Sequence, residues 1–329
     1  MDRDGAGVSA RIPDFSDVVA AASRIGPHVV RTPVMRSAAL DARTGCEVYF
    51  KCENLQTGGA FKFRGAMNVL LQLDAQRTPV VITQSSGNHG NALALAARAR
   101  GMRAIVVIPR DSARSKIAAI EAAGARIELS DPGLVARERR LAEVLASEPA
   151  ELVHPFDDER IIAGQGTAAL EFLTEVPQLE VISTPIGGGG LIGGTALAAK
   201  ALVPGIRVIA AEPEQADDAF QSFRSGERRA INAPDTIADG LRGSIGVRNF
   251  ELLRRRVDDV VTGTVAEIDA AMRIVRGDLK LLIEPSSAVP VAALLAGKLG
   301  KGRRVGIVLS GGNVDLNLCP FLRGASRQM

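Results

Sequence analysis

The chain has 329 residues, 46% apolar and 23% charged, with a net charge of +3. That length exceeds one small core and predicts two domains. Aromatics make up only 3%, with no Trp and one Tyr, which excludes a stacking platform for single-stranded nucleic acid. The positive charges lie on Arg-rich stretches such as "RERRLAE", which read as solvated helix faces, so no nucleic-acid partner is expected.

In chain order, short β-branched runs alternate with longer Ala-rich runs. "PVVITQ" (79–84) predicts a buried strand, and "NALALAARARG" (91–101) a helix closed by a C-terminal Gly. "RAIVVIP" (103–109) is the next strand, followed by a helix over 112–125 capped by Ser112. A strand (126–130) and a helix (133–146) follow. Helices at 168–176 and 193–203 alternate with strands at 180–186 and 207–213, and "RRVGIVLSGGN" opens a late strand at 303. This pattern predicts an α/β fold with parallel sheets flanked by helices. The expected division is a large domain of 1–76 and 155–329 and a small mobile domain of 77–154.

Cys46, Cys52 and Cys319 form an odd, sparse set without metal-ligand spacing, unlike a secreted disulfide framework. The first residues lack the apolar run of a signal peptide, and no apolar stretch has membrane-spanning length. The expectation is a cytoplasmic protein with no membrane contact.

In sheets of this kind ligands sit beyond the carboxyl ends of the strands. Four unusual loops fall there: "SSGNHG", "GGGGLIGG", "EPEQADD" and "SGGN". Gly187 to Gly190 precede a helix, where converging amides and the positive helix end suit a phosphate. Two other readings stay open here. One is a plain flexible turn. The other is a dinucleotide fingerprint made by Gly188, Gly190 and Gly193, with Glu212 ending the next strand.

Ser85, Ser86 and Asn88 open a helix whose free amides could hold a carboxylate, and Ser86 or Asn88 could equally be its cap. His89 reads as a structural hydrogen-bonding group. Ser310 places a hydroxyl beside Gly311 and Gly312, which permit close approach by a flat ligand. In "TGGAFKFRG", Lys62 stands between Phe61 and Phe63 after Gly58 and Gly59. Either its ammonium snorkels past the rings, or its amine is desolvated for use as a nucleophile.

The set "GAFKFRGA", "SSGNHGNALA", "TPIGGGG", "IEPSSAV" and "LSGGNVDL" resembles the serine/threonine dehydratase and serine racemase family, from about Asp14 to Leu318. "AAEPEQADD" and "TIADGLRGSIG" resemble the serine racemase and 3-hydroxyaspartate dehydratase branch. The resemblance implies a pyridoxal-phosphate enzyme of fold type II, tryptophan synthase β-like, acting on an amino acid as a homodimer. By it, Lys62 would form a Schiff base with pyridoxal phosphate and Phe61 would back the ring. Gly187, Gly188, Gly189 and Gly190 would hold the phosphate. Asn88 would bond the ring hydroxyl and Ser310 would face the ring nitrogen. Ser86 would be an acid/base on the face opposite Lys62. Ser85, Ser86, Asn88 and Arg137 would contact the substrate. Glu212, Asp218 and the carbonyl of Ala216 would hold Mg2+ or Ca2+. Gly58 and Gly59 then read as room for cofactor and substrate. The implied reaction is α,β-elimination (dehydration and deamination) of serine or threonine to give a 2-oxo acid and ammonia. A racemase with side elimination and a 3-hydroxyaspartate dehydratase are the alternatives. Gly243 stands where racemases of the branch commonly carry a serine.

Overall fold

The computed structural model describes residues 11–231 and 234–315. Its helices are α1 (Phe15–Ile25), α2 (Ala38–Thr44), α3 (Lys62–Leu70), α4 (Asn88–Ala99), α5 (Arg114–Ala122), α6 (Leu134–Ser147), α7 (Glu159–Glu175), α8 (Gly190–Leu202), α9 (Asp218–Ser225), α10 (Val247–Arg256), α11 (Val265–Leu279) and α12 (Pro285–Leu295). Its strands are β1 (Val34–Arg36), β2 (Glu47–Lys51), β3 (Val80–Gln84), β4 (Arg103–Pro109), β5 (Arg126–Ser130), β6 (Glu151–Leu152), β7 (Val181–Pro185), β8 (Arg207–Pro213), β9 (Asp259–Gly263) and β10 (Arg304–Val308).

The strands form a six-stranded sheet, β1-β2-β10-β7-β8-β9, and a four-stranded sheet, β5-β4-β3-β6. The smaller sheet is parallel throughout. The larger is parallel except at its edge, where β1 pairs with β2 antiparallel. Burial on both faces explains the unbroken apolar runs: all five residues of β7 are buried. Residues of α7, α8 and α10 cover one face of the large sheet, and residues of α2, α11 and α12 the other. The small sheet packs against α6 through Leu141 and Val144, and against α5 through Ile120.

Two sequence expectations need correction. Ser112 does not cap α5, which starts behind Ala113 without a side-chain cap; the Ser112 amide instead closes a turn onto the Pro109 carbonyl at 3.0 Å. The helix expected at 168–176 is only the second half of α7. Gly164 and Gly166 weaken the helical signal there, but Gly164 is needed. A Cβ at Gly164 would lie 2.7 Å from the Cα of Gly65, so α3 and α7 cross backbone to backbone.

That crossing matters because α3 begins with Lys62. The helix is fastened by a buried ion cluster. Arg64 is wholly buried and donates to Glu53 at 2.7 and 2.8 Å and to Glu171 at 2.8 and 2.9 Å. Lys51, also wholly buried, donates to Glu171 at 2.7 Å. Two paired forks hold a planar guanidinium in one orientation, and with it the first turn of α3.

Candidate active site

The segments after β6 and β10 frame the start of α3. The Phe61 amide donates to the Ser310 carbonyl at 3.0 Å, and Ala60 pairs with Gly311. These contacts stitch the lysine turn to the loop after β10 and bury Ser310. The Lys62 amine donates to the Pro155 carbonyl at 2.7 Å and lies 5.2 Å from the Phe61 ring centre. Burial pushes it down to about 8, against the pull of the Glu284 carboxylate. The desolvated reading therefore wins over snorkelling: near neutral pH a useful fraction of the amine is an unprotonated nucleophile.

Gly58 and Gly59 do not supply room for a ligand. Both have positive φ, 74° and 75°. A Cβ on Gly58 would meet Leu95 at 2.9 Å, and one on Gly59 would meet Asn313 at 2.3 Å. They are glycines because the turn is left-handed and α4 and Asn313 press on it. Gly311 likewise faces no flat ligand on its Cβ side, where the Glu284 carboxylate would sit 2.6 Å away.

Gly187 to Gly190 form the turn from β7 into α8. Its outer wall is filled: a Cβ on Gly188 would lie 2.2 Å from the Phe156 ring, and one on Gly187 2.9 Å from Leu241. Gly189 has φ +90° and abuts Asn249. The Gly188 carbonyl accepts from Asn249 at 2.7 Å and from the Gly246 amide at 3.1 Å. Among the described residues, none accepts a hydrogen bond from the amides of Gly187, Gly188 or Gly189. Carbonyls held outward and amides left free at a helix start fit a phosphate.

α4 starts at Asn88 behind Gly87, and no side chain caps it, so neither Ser86 nor Asn88 is its cap. The Ser85 hydroxyl accepts from the Gly87 amide at 3.3 Å, and Ser86 is half-buried beside it. Asn88 donates to both oxygens of Glu284, at 2.8 and 3.0 Å, and accepts from Asn313 at 2.9 Å. His89 is buried, with Nε2 3.4 Å from the Val153 carbonyl. Burial and the nearby Lys62 charge push it down to about 3, so it is a neutral structural group.

Sequence reasoning passed over Glu284 and His154. Glu284 is buried within electrostatic reach of Lys62 and Lys116. His154 follows β6, next to the carbonyl that holds Lys62. Its Nδ1 accepts from the amides of Phe156 and Asp157, at 3.3 and 2.8 Å. A neutral ring with Nδ1 accepting carries its proton on Nε2. Burial and Lys62 favour that neutral form, although Asp157 pulls the other way.

Arg137 lies in the first turn of α6, after β5, on the same end of the small sheet as Ser85 and Ser86. It is half-buried, and none of the described residues makes a hydrogen bond or ion pair with its guanidinium. Burial lowers its pKa, and Glu138 opposes the shift.

Glu212, Ala216 and Asp218 are all buried. Glu212 accepts from the amides of Ala219 and Phe220 at 3.3 and 2.9 Å. Asp218 accepts from the Ile245 amide at 2.9 Å, and its second oxygen is buried without a partner. Burial drives both acids up, with each other's charge adding to Glu212, and Asp218 reaches about 6. Two crowded carboxylates with an orphaned oxygen fit a hard cation. Among the described residues no three His, Cys, Asp or Glu side chains gather to hold a metal. The set is thus two carboxylates and a main-chain carbonyl.

The model of the pyridoxal-phosphate dependent enzyme family matches residues 25–311. The chain belongs to that family. It is 44% identical over 312 residues to a beta-hydroxyaspartate dehydratase of Paracoccus denitrificans, covering 94% of this chain and 99% of that protein. It is 45% identical over 310 residues to a serine racemase of Arabidopsis thaliana, covering 92% and 94%. The solved structure of maize serine racemase superposes with a TM-score of 0.90 at 43% identity, over 93% of this chain and 95% of that one. The fold is that of the type II pyridoxal-phosphate enzymes. The dinucleotide reading of the glycine loop falls, and the structure gives the reason: Glu212 is sealed against the start of α9 and cannot reach a ribose. Among the described residues no helix is long and apolar enough to cross a membrane. Leu316 to Leu318 and Cys319 lie outside the described residues.

Proposed function

We propose that this enzyme converts a β-hydroxy amino acid to a 2-oxo acid and ammonia, by eliminating water across Cα and Cβ and hydrolysing the enamine that results. One observation carries the reading: Lys62 is a desolvated amine held at about 8, within a frame that also offers a phosphate cup and a buried hydroxyl at Ser310.

Gly187 to Gly190 would hold the phosphate of pyridoxal phosphate, Phe61 would back its ring, Asn88 would donate to the ring hydroxyl, and Ser310 would face the ring nitrogen. When bound, the cofactor supplies an electron sink for the charge left on the substrate Cα. A serine hydroxyl at the ring nitrogen, in place of a carboxylate, makes that sink weak and favours prompt loss of a β-substituent. Lys62 takes the α-proton on one face. The β-hydroxyl leaves as water with the proton that Lys62 has taken, and the released enamine takes up a water to give oxo acid and ammonia. Ser85, Ser86 and Asn88 hold the substrate carboxylate, and Ser86 exchanges a proton on the second face. Residues 77–154 act as a small mobile domain that closes over the substrate. Glu212, Asp218 and the Ala216 carbonyl take Mg2+ or Ca2+ as a structural or activating ion.

Serine or threonine is the default substrate. Arg137 favours a second reading, 3-hydroxyaspartate, because its half-buried guanidinium has no acidic partner among the described residues and could pair with a side-chain carboxylate. The Paracoccus relative is named for that substrate.

A panel of L- and D-serine, threonine and 3-hydroxyaspartate isomers, assayed for oxo acid and for the opposite enantiomer, tests all three readings. Oxo acid from one of them is expected, and Lys62→Ala should abolish it. Turnover that survives Lys62→Ala refutes the lysine assignment. Interconversion of enantiomers faster than oxo-acid release shifts the assignment to racemase.

A further inference from the structure

Glu284 immediately precedes α12 in the position of a helix cap, yet it forms no cap bond. An acid at that position ordinarily serves the free amides of its own helix. Here the carboxylate turns away and spends both oxygens on the Asn88 side chain, at 2.8 and 3.0 Å. It is 5% exposed, and Gly311 lacks a side chain where the carboxylate sits. Asn88 belongs to the helix that follows the four-stranded sheet, whereas Glu284 ends a loop against the six-stranded one. The contact therefore joins the two sheets at the mouth of the site.

The chemistry of the pair fixes one atom. An ionised carboxylate only accepts, so the Asn88 nitrogen must face Glu284. Asn313 reinforces this by donating to the Asn88 oxygen at 2.9 Å while also donating to the Gly58 carbonyl at 2.7 Å. The amide is thus clamped at both ends, and its nitrogen keeps a second hydrogen for another acceptor. Burial raises the Glu284 pKa, while the Asn88 hydrogen bond and the nearby charges of Lys116 and Lys62 work against it and favour the ionised form.

We propose that Glu284 is a positioning residue, which fixes the Asn88 amide as a donor toward the cofactor ring and makes that donor available only when the two sheets are seated together. This rests on the reading of Asn88 given above.

The test compares Asn88→Ala, Glu284→Ala, the double alanine variant, and the swap Asn88→Asp/Glu284→Gln. Pyridoxal-phosphate affinity and the absorbance of the bound cofactor are measured, with the melting midpoint of each cofactor-free form. Each single alanine variant should bind the cofactor about tenfold more weakly, the size of one lost hydrogen bond to a charged group. The double variant should be no worse than the singles, because both remove one unit. The swap keeps a donor and an acceptor between the sheets with their roles reversed. It should melt like the parent but bind cofactor as weakly as Asn88→Ala, because the asparagine donor is gone. Should Glu284→Ala not fold, the swap carries the test. A swap that restores cofactor binding, or alanine effects that add, overturns the proposal, since Glu284 would then merely join the sheets. If Asn88→Ala binds cofactor like the parent, the reading of Asn88 itself is wrong and the proposal falls with it.

Discussion

Two carboxylate pairs in this molecule, one buried and one with Glu171 half-buried, solve the same electrostatic problem in opposite ways. Glu53 and Glu171 face Arg64 and Lys51, so two negative charges meet two positive ones and every guanidinium nitrogen is hydrogen-bonded. Burial pushes the Glu171 carboxyl up, but Arg64 and Lys51 more than reverse that and hold it below its ordinary range. Glu212 and Asp218 meet backbone amides and each other, with no cation hydrogen-bonded to either among the described residues. Both rise well above ordinary carboxylates. A compensated cluster fixes geometry and needs nothing further. An uncompensated one is costly to the fold unless a cation is supplied from solution. The first anchors the helix that carries Lys62; the second is the better place to look for an ion.

The largest effect should come from breaking the compensated cluster. Arg64→Met removes the wholly buried guanidinium of the network and strands Glu53 and part of Glu171. A loss of about 3–5 kcal/mol is expected, read from the denaturant midpoint. A loss below about 1 kcal/mol would be typical of a surface ion pair and would show that the cluster is open to water.

The uncompensated pair should respond to ions instead. Saturating Ca2+ or Mg2+, at about a hundred times the dissociation constant, should stabilise the protein by about 2.7 kcal/mol. Asp218→Asn should lose that response and, without added ion, be as stable as the parent or more so. If chelator leaves the melting midpoint of the parent unchanged, the ion assignment fails.

The contrast also separates what the sequence makes legible from what it hides. Lys62, the four glycines and Ser310 stand out because their chemistry is local: a lysine among phenylalanines, amides at a helix start, a hydroxyl at a strand end. Strands β3, β4, β5, β7, β8 and β10 follow from the alternation of β-branched and Ala-rich runs, whereas β1, β2, β6 and β9 and the order within each sheet do not. Glu284 escapes notice because it looks like the first residue of a helix, while its partner Asn88 lies 196 positions away. Arg64 is equally silent, since Glu171 is 107 positions off and nothing local marks the arginine as buried. His154 was one of three dispersed histidines, and only the amides of Phe156 and Asp157 reveal its tautomer. The roles given to Gly58, Gly59 and Gly311 went wrong for the same reason. A glycine reports that something comes close, without saying whether it is ligand, asparagine or glutamate.

The smallest effect, and the sharpest sign, lies in pH. Asp218 holds its proton more tightly folded than unfolded, about 6 against an ordinary 3.8. Between those values the folded state carries the extra proton, so without a divalent ion its contribution to stability falls as pH rises from about 4 to 6. Above that range the whole cost is present, about 3 kcal/mol for a buried group. Glu171 has the opposite sign: its lowered pKa gives stability above the ordinary carboxylate range, lost as the pH falls below it. Unfolding free energies in chelator should show parent minus Asp218→Asn falling as pH rises from about 4 to 6, and parent minus Glu171→Gln rising as pH climbs toward about 4.5 and flat above it. Saturating cation should reverse the Asp218 difference, because the ion binds the ionised carboxylate and competes with the proton. Two slopes of the same sign would mean that the Glu212–Asp218 pair is already compensated and needs no ion. An Asp218 slope indifferent to cation would place any bound metal elsewhere in the molecule.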